Sequence, residues 1–290
     1  MRRSPLVLIP VAAAMLLAAC GSSTSPSSSP SGSSTTSASA TCTPASLQTL
    51  TAGKFTVATG NPAYSPWVID DKPESGKGFE SAVTYAVAKK LGYADSDVVW
   101  IRTGFDEAIA PGPKKFDVNI QQFSISEDRK KAVDFSSGYY DLTQAVVTYK
   151  GSPIEKAASL AALKDAKLGA AVGTTSLDAI NASIQPTTPA KVYNNNDDAV
   201  AALKAKQIDG LVVDLPTAFY IAFGELDNGV LTGQLPNSAN DKEQLGFLLA
   251  KGSPLTQCVT QAVDALRADG TLAKLQDQWL AASAGAPVLS

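Results

Sequence analysis

Short β-branched or aromatic runs that end in turn residues alternate along most of this chain with amphipathic helical stripes. That alternation is the sequence form of βαβ units and a mostly parallel sheet. The pattern predicts strands at Phe55–Thr59, Val98–Ile101, Phe116–Ile120, Gln144–Tyr149, Leu168–Val172, Gly210–Asp214 and Gly246–Ala250, a number that suits two sheets. After Glu80, the residues Val83, Ala86, Val87 and Leu91 make one apolar stripe, with Gly92 placed to end it. Farther on, Ser253 is placed to N-cap and Pro254 fits the first helical position. Leu255, Cys258, Val259, Ala262, Val263 and Leu266 then form a stripe closed by Gly270. A last helix carries Leu272, Leu275, Trp279 and Leu280 on one face. The fold class expected is α/β.

The alternation begins only after residue 41. Before it, Arg2 and Arg3 precede an apolar run from Leu6 to Leu17, and Ala18 and Ala19 lead to Cys20. Basic flank, short apolar run and small residues read as a signal peptide over residues 1–20; an uncleaved anchor is the alternative, but the run falls short of the roughly 20 residues a membrane span needs. Leu17-Ala18-Ala19-Cys20 resembles a lipobox, which implies lipidation of Cys20 and attachment at the outer face of the cytoplasmic membrane. Residues 21–41 are Ser, Thr, Gly, Pro, Ala and nothing else, too polar and small to pack, and read as a tether of roughly 25 Å end-to-end distance.

The chain has no histidine, and its two methionines, Met1 and Met15, lie in the expected signal peptide. Ser/His/Asp triads, His-dependent acid/base chemistry and most zinc sites are therefore excluded, and no metal or cofactor is expected. The formal charge is −3, or −5 without Arg2 and Arg3, with no Lys/Arg block to suit nucleic acid or an anionic membrane. With Cys20 lipid-modified, Cys42 and Cys258 remain as an even pair in an oxidising compartment; either they form a disulfide, or Cys258 is a small buried residue on its helix.

Polar and aromatic residues stand where open α/β sheets bind small ligands, at the carboxyl ends of expected strands. Gly173, Thr174, Thr175 and Ser176 lead from a strand into a helical stretch, which aims free N–H groups at an anion, although an ordinary Thr or Ser cap accounts for the same residues. Asp214 ends an apolar strand just before Leu215 and Pro216 and suits either an ammonium group or a helix cap. In Ser124-Ile125-Ser126-Glu127-Asp128-Arg129 a loop enters a helix. Arg129 in its first turn opposes the macrodipole unless an anion, or local pairing with Glu127 or Asp128, compensates. Tyr64, Trp67 and Phe105 lie in loops past strand ends, as pocket walls or, for Trp67, as core. Together a carboxylate site (Arg129 and the Thr174 loop) and an ammonium site (Asp214) match the two ends of a free α-amino acid.

The segments Val57-Ala58-Thr59 with Tyr64-Ser65-Pro66-Trp67, Gly78-Phe79-Glu80, Phe116-Asp117-Val118, Ser124 through Arg129 into Val133-Asp134-Phe135-Ser136, Tyr139-Tyr140, Gly173-Thr174-Thr175-Ser176, Val212-Val213-Asp214 and Ala268-Asp269-Gly270-Thr271 carry a resemblance in their order and spacing. From Leu47 to Leu280 the chain resembles the family 3 extracellular amino-acid-binding proteins of ABC importers. The resemblance implies a two-lobe periplasmic-binding fold of type II with two crossings, near Tyr139 to Thr143 and Asp241 to Leu245. Residues 42–140 and 245–290 would form lobe 1 and residues 141–244 lobe 2, so that Cys42 and Cys258 share a lobe. It also implies that Arg129 and the backbone N–H groups at Thr174 or Thr175 hold an α-carboxylate, that Asp214 and Ser124 take the α-amine, and that Tyr64 and Phe105 flank the side chain. This chain departs from glutamine-binding and basic-amino-acid-binding relatives at Gly60-Asn61, where they carry an Asp, and at Gln122, where they carry a Gly. Without an acid at Gly60 a cationic side chain lacks a partner, which favours a neutral ligand.

The function expected is therefore extracytoplasmic binding of a free amino acid and its delivery to an ABC permease, by a monomer that is not an enzyme. Two alternatives use the same fold: an enzyme like cyclohexadienyl dehydratase, and a ligand-sensing lipoprotein.

Overall fold

The structure is a computed structural model that describes residues 42–237, 242–281 and 285–290. The signal peptide, Cys20, the tether and Asp241 lie outside the described residues.

In chain order the strands are β1 (Phe55–Thr59), β2 (Val98–Arg102), β3 (Val118–Asn119), β4 (Val133–Leu142), β5 (Gln144–Tyr149), β6 (Leu168–Ala171), β7 (Lys191–Tyr193), β8 (Gly210–Asp214), β9 (Gly229–Gln234) and β10 (Glu243–Ala250). The α-helices are α1 (Phe79–Lys90), α2 (Phe105–Ile109), α3 (Glu127–Lys130), α4 (Thr175–Ala179), α5 (Asn196–Lys204), α6 (Leu215–Tyr220), α7 (Thr256–Ala268) and α8 (Thr271–Leu280). The strands form two five-stranded sheets, ordered β2-β1-β3-β10-β4 and β7-β6-β8-β5-β9.

Each sheet is mixed, which corrects the expectation of mostly parallel sheets. In the first, β2, β1 and β3 run parallel, while β10 is antiparallel to both β3 and β4. In the second, β7, β6 and β8 run parallel, and β5 is antiparallel to β8 and β9. The cause is connectivity. The chain leaves the first sheet along β4, turns at Thr143 into β5 of the second, and later returns along β10. The strands that enter a sheet from the other, β5 and β10, run against the βαβ strands, whereas β4, along which the chain leaves, runs with them.

Each sheet is covered on both faces, as parallel strands require. Phe55, Val57 and Val118 pack with Val83, Val87 and Leu91 of α1 and with Val259, Val263 and Leu266 of α7; Ala58, Phe116, Phe123 and Leu248 form the other face. In the second sheet Val147, Leu211 and Val213 meet Ala199, Leu203 and Ala218, whereas Val146, Leu168 and Val212 meet Leu163, Ile180 and Ile184. At the end of α1, Gly92 adopts φ +86°, and the Tyr93 N–H bonds back to the Ala88 carbonyl, the expected glycine stop. By contrast α7 begins at Thr256, beyond the expected cap. Ser253 and Pro254 form a preceding turn in which Thr256 N–H reaches the Ser253 carbonyl.

Cys42 and Cys258 are joined by a disulfide, with their Cα atoms 5.5 Å apart and α7 supplying one end. Residues 285–290 lie against the second sheet, since Gln234 N–H bonds to the Pro287 carbonyl and Leu289 N–H to the Gln234 carbonyl. Residues expected in lobe 1 thus finish on the other sheet, held by Leu289 in an apolar cluster there.

Candidate functional site

A cavity of about 360 Å³ opens where the carboxyl ends of β1 and β3 face those of β6 and β8. Asn61, Tyr64, Phe105, Gln122 and Arg129 line it from the first sheet's side, and Thr174, Thr175 and Asp214 from the second's. Gly60 and Ser124 stand behind the wall. Trp67 is wholly buried in the first core, so of its two readings core packing applies.

Arg129 sits in the four-residue helix α3, whose N-cap Ser126 accepts from the Arg129 N–H through its side chain. The guanidinium, largely buried, donates to the carbonyls of Ser124 (2.8 Å) and Gly173 (3.0 Å) and lies 5.4 Å from the Phe105 ring centroid. Phe105 in turn stacks on Phe123 at 4.7 Å. Glu127 pairs with Lys130 and Asp128 with Lys131, so neither neighbour neutralises Arg129. Among the described residues no carboxylate lies within ion-pair distance of it. Burial pulls its pKa below the usual guanidinium value, against the field of Glu243, Asp178, Asp214 and Asp106.

Asp214 ends β8 but does not cap α6 with its side chain. Its Oδ1 accepts from Gln144 Nε2 at 3.1 Å, and the same nitrogen reaches Glu243 Oε2 at 3.0 Å. Ser176 donates to Gln144 Oε1 at 2.7 Å and so fixes which way the amide faces. Glu243 Oε1 accepts from the Ser124 hydroxyl at 2.5 Å, so that hydroxyl is committed behind the wall. Two carboxylates therefore share one amide, and Asp214 is pushed up to about 8, by burial first and then by Glu243. A cation placed beside it would relieve both effects.

Sequence reasoning missed Gln144, Glu243 and the part played by Glu80. Glu80 is wholly buried; it accepts from the Gln122 N–H at 2.8 Å, from the Gln122 side-chain amide and from the Tyr139 hydroxyl. Burial raises its pKa to about 7, against those hydrogen bonds. The contacts hold Gln122 at φ +50° on the cavity wall. The one signal available was the acidic residue at the start of the α1 stripe, which also suits an ordinary first helical turn.

From the second sheet's side, Gly173 takes φ +70°, and a Cβ there would meet Asp106 Oδ1 at 2.9 Å, so glycine is needed for its carbonyl to reach Arg129. Thr174 is the N-cap of α4, accepting from the Leu177 N–H, which is the capping alternative. Thr175 Oγ1 lies 3.2 Å from Ser124 Oγ and 3.3 Å from Gln144 Nε2. The Tyr64 pKa is raised by burial and then by the charge of the Asp197 carboxylate. Among the described residues no His/Cys/Asp/Glu group could hold a metal, and no helix is long and apolar enough to cross a membrane.

Comparisons with known proteins agree with this architecture. The chain is 29% identical over 222 residues to the L-cystine-binding protein TcyJ of Escherichia coli, covering 76% of this chain and 80% of that one. It is 27% identical over 280 residues to the ABC transporter glutamine-binding protein GlnH of Bacillus subtilis, covering 95% and 96%. A solved structure of an ancestral arginine-binding protein bound to arginine superposes with a TM-score of 0.65 at 30% identity, over 78% of this chain and 98% of that one. Residues 55–282 match the family model of these proteins, and the chain belongs to the bacterial extracellular solute-binding proteins, family 3.

Proposed function

We propose that this protein binds a free α-amino acid outside the cytoplasmic membrane and delivers it to an ABC importer. One observation carries the reading: a buried guanidinium, Arg129, and a carboxylate, Asp214, neither with an oppositely charged partner at ion-pair distance among the described residues, line opposite walls of one cavity. A zwitterion supplies both missing charges. Its α-carboxylate meets Arg129 and the N–H groups at Thr174 or Thr175, and its α-amine meets Asp214, with Glu243 adding negative charge nearby. Ser124 acts on the amine end through Glu243. Tyr64 and Phe105 flank the side chain, and Gln122 completes the wall, while Gly60 and Asn61 offer no acid for a cationic group. A neutral side chain is therefore favoured.

Residues 42–140 with most of 245–290 act as one lobe and 141–244 as the other, joined at the two crossings, and the protein works as a monomer. Cys20, lipid-modified and left as the first residue once residues 1–19 are removed, holds it at the outer face of the cytoplasmic membrane, and residues 21–41 are the tether. The relatives named for cystine and glutamine binding support the ligand class and the transport role. Calorimetry against the twenty amino acids tests the reading: saturable one-to-one binding of at least one is expected, and no heat from any would overturn it.

A further inference from the structure

Behind the cavity wall, four side chains close a ring of hydrogen bonds. Gln144 Nε2 reaches Glu243 Oε2 at 3.0 Å and Thr175 Oγ1 at 3.3 Å. The Thr175 and Ser124 hydroxyls lie 3.2 Å apart, and Ser124 donates to Glu243 Oε1 at 2.5 Å. Each member comes from a different part of the fold. Ser124 belongs to the first sheet's side, bridged to Leu245 of β10, and Thr175 opens α4 on the second's. Gln144 is the first residue of β5 and Glu243 the first of β10, the strands by which the chain enters each sheet from the other. The ladders account for the meeting: Glu243 stands opposite Leu142, just before the crossing into β5, and Gln144 stands opposite Asp214.

Counting hydrogens fixes the directions. Ser124 gives its one hydroxyl hydrogen to Glu243, so the hydrogen between the two hydroxyls is that of Thr175, whose oxygen then accepts from Gln144. The Gln144 amide has two hydrogens but faces three acceptors, because Asp214 Oδ1 also lies 3.1 Å from Nε2. Turning the amide over brings no relief, since Ser176 donates to its oxygen on the other side. An ammonium group beside Asp214 supplies that carboxylate with its own N–H. Both amide hydrogens then go to Glu243 and Thr175, and the ring is complete.

Resting on the amino-acid reading above, we infer that Gln144 is the positioning residue that couples the ligand's ammonium group to the two crossings, through the ring of Glu243, Ser124 and Thr175. Gln144 is 4% exposed and stands behind the wall, so it acts through Asp214 and does not touch the ligand. The ring joins groups from both sides of the cleft, so completing it favours the arrangement that encloses the ligand. A compound with the same carboxylate and side chain but no ammonium leaves the amide shared among three acceptors and gains nothing from the ring.

The test is calorimetry of the full chain. The twenty amino acids and cystine identify the tightest binder, and its des-amino analogue, with hydrogen in place of the ammonium group, is measured beside it by competition. Both are then titrated on Gln144→Met, Ser124→Ala and the double variant, with melting temperatures checked. Gln144→Met keeps the length of the side chain but has no N–H, and should cut the preference for the amino acid over its analogue about tenfold. Ser124→Ala opens the ring without touching Asp214 or Gln144 and should cut it by a similar factor. The double variant should lose about tenfold rather than a hundredfold, because both changes break one ring. If Gln144→Met does not fold, the Ser124→Ala ratio decides alone. A merely structural role would weaken both compounds alike and leave the preference where it was. An unchanged preference, or losses that multiply in the double variant, overturns the inference while wild-type binding keeps the amino-acid reading. Absence of binding by every amino acid removes the underlying reading and this inference together.

Discussion

Trp67 donates its indole N–H to the Thr217 hydroxyl at 2.8 Å, joining the loop after β1 to the helix that begins beside Asp214. Both residues are buried, and the Trp67 ring also sits edge-on to Phe79 and Tyr140, at 6.1 and 5.6 Å. Thr217→Val keeps the shape but leaves a buried indole donor without an acceptor. The cost should be about 1–3 kcal/mol, seen as a lower denaturant midpoint at unchanged slope. An unchanged midpoint would mean that this cross-connection contributes nothing.

Replacing Arg129 should separate binding from folding. The guanidinium makes hydrogen bonds to two carbonyls and lies over the Phe105 ring, but among the described residues it has no ion pair to lose. Arg129→Ala should therefore remain folded, while its affinity for the cognate amino acid falls by about 2–5 kcal/mol, roughly 30-fold or more. Equal affinities would take Arg129 out of the site.

How much of this was legible in sequence depends on whether a feature is local. The α1 stripe with its Gly92 stop, and Arg129 and Asp214 at element ends, follow from spacing within a few residues. Cys42 and Cys258 stood out as an even pair once the lipobox-like motif was read as claiming Cys20, and the two are joined by a disulfide. Gln144 and Glu243 did not stand out, because each is a single polar residue at a strand start, and their meeting spans 99 positions. In β4 the register against β10 shifts around Gly246, which breaks the alternation that marks a strand, and β7 is only three residues long. The partner of the Ser124 hydroxyl, Glu243, was hidden for a similar reason: the chain brings it in only with β10.

The disulfide closes a loop across a sequence separation of 216 and fastens the segment before β1 to α7. Constraining so long a loop in the unfolded chain should contribute on the order of 2–5 kcal/mol. Reduction, or a Cys42→Ser and Cys258→Ser double variant, should lower the melting temperature measurably. Thiol titration of the unreduced, denatured protein should find neither of the two cysteines free.

Asp214 makes stability and binding respond oppositely to pH. Its carboxyl is held near 8 in the folded protein, by burial, then Glu243 and Glu80, against Gln144 and Arg129, compared with an ordinary value of 3.8. Between these limits the folded state binds more protons than the unfolded chain. The stabilising contribution is complete below about pH 4 and is lost as pH rises through about 8. Glu80, held near 7, adds to the same slope. The melting temperature of the ligand-free protein should carry this negative contribution between about pH 5 and pH 8, and Asp214→Asn should remove part of it. An ammonium group favours the ionised form, so ligand binding near pH 7 should release a proton, and affinity should rise toward pH 8. Calorimetry in two buffers of different ionisation enthalpy measures that release. Identical binding enthalpies in both buffers, with a pH slope unaltered by Asp214→Asn, would show that Asp214 is already ionised before the ligand arrives.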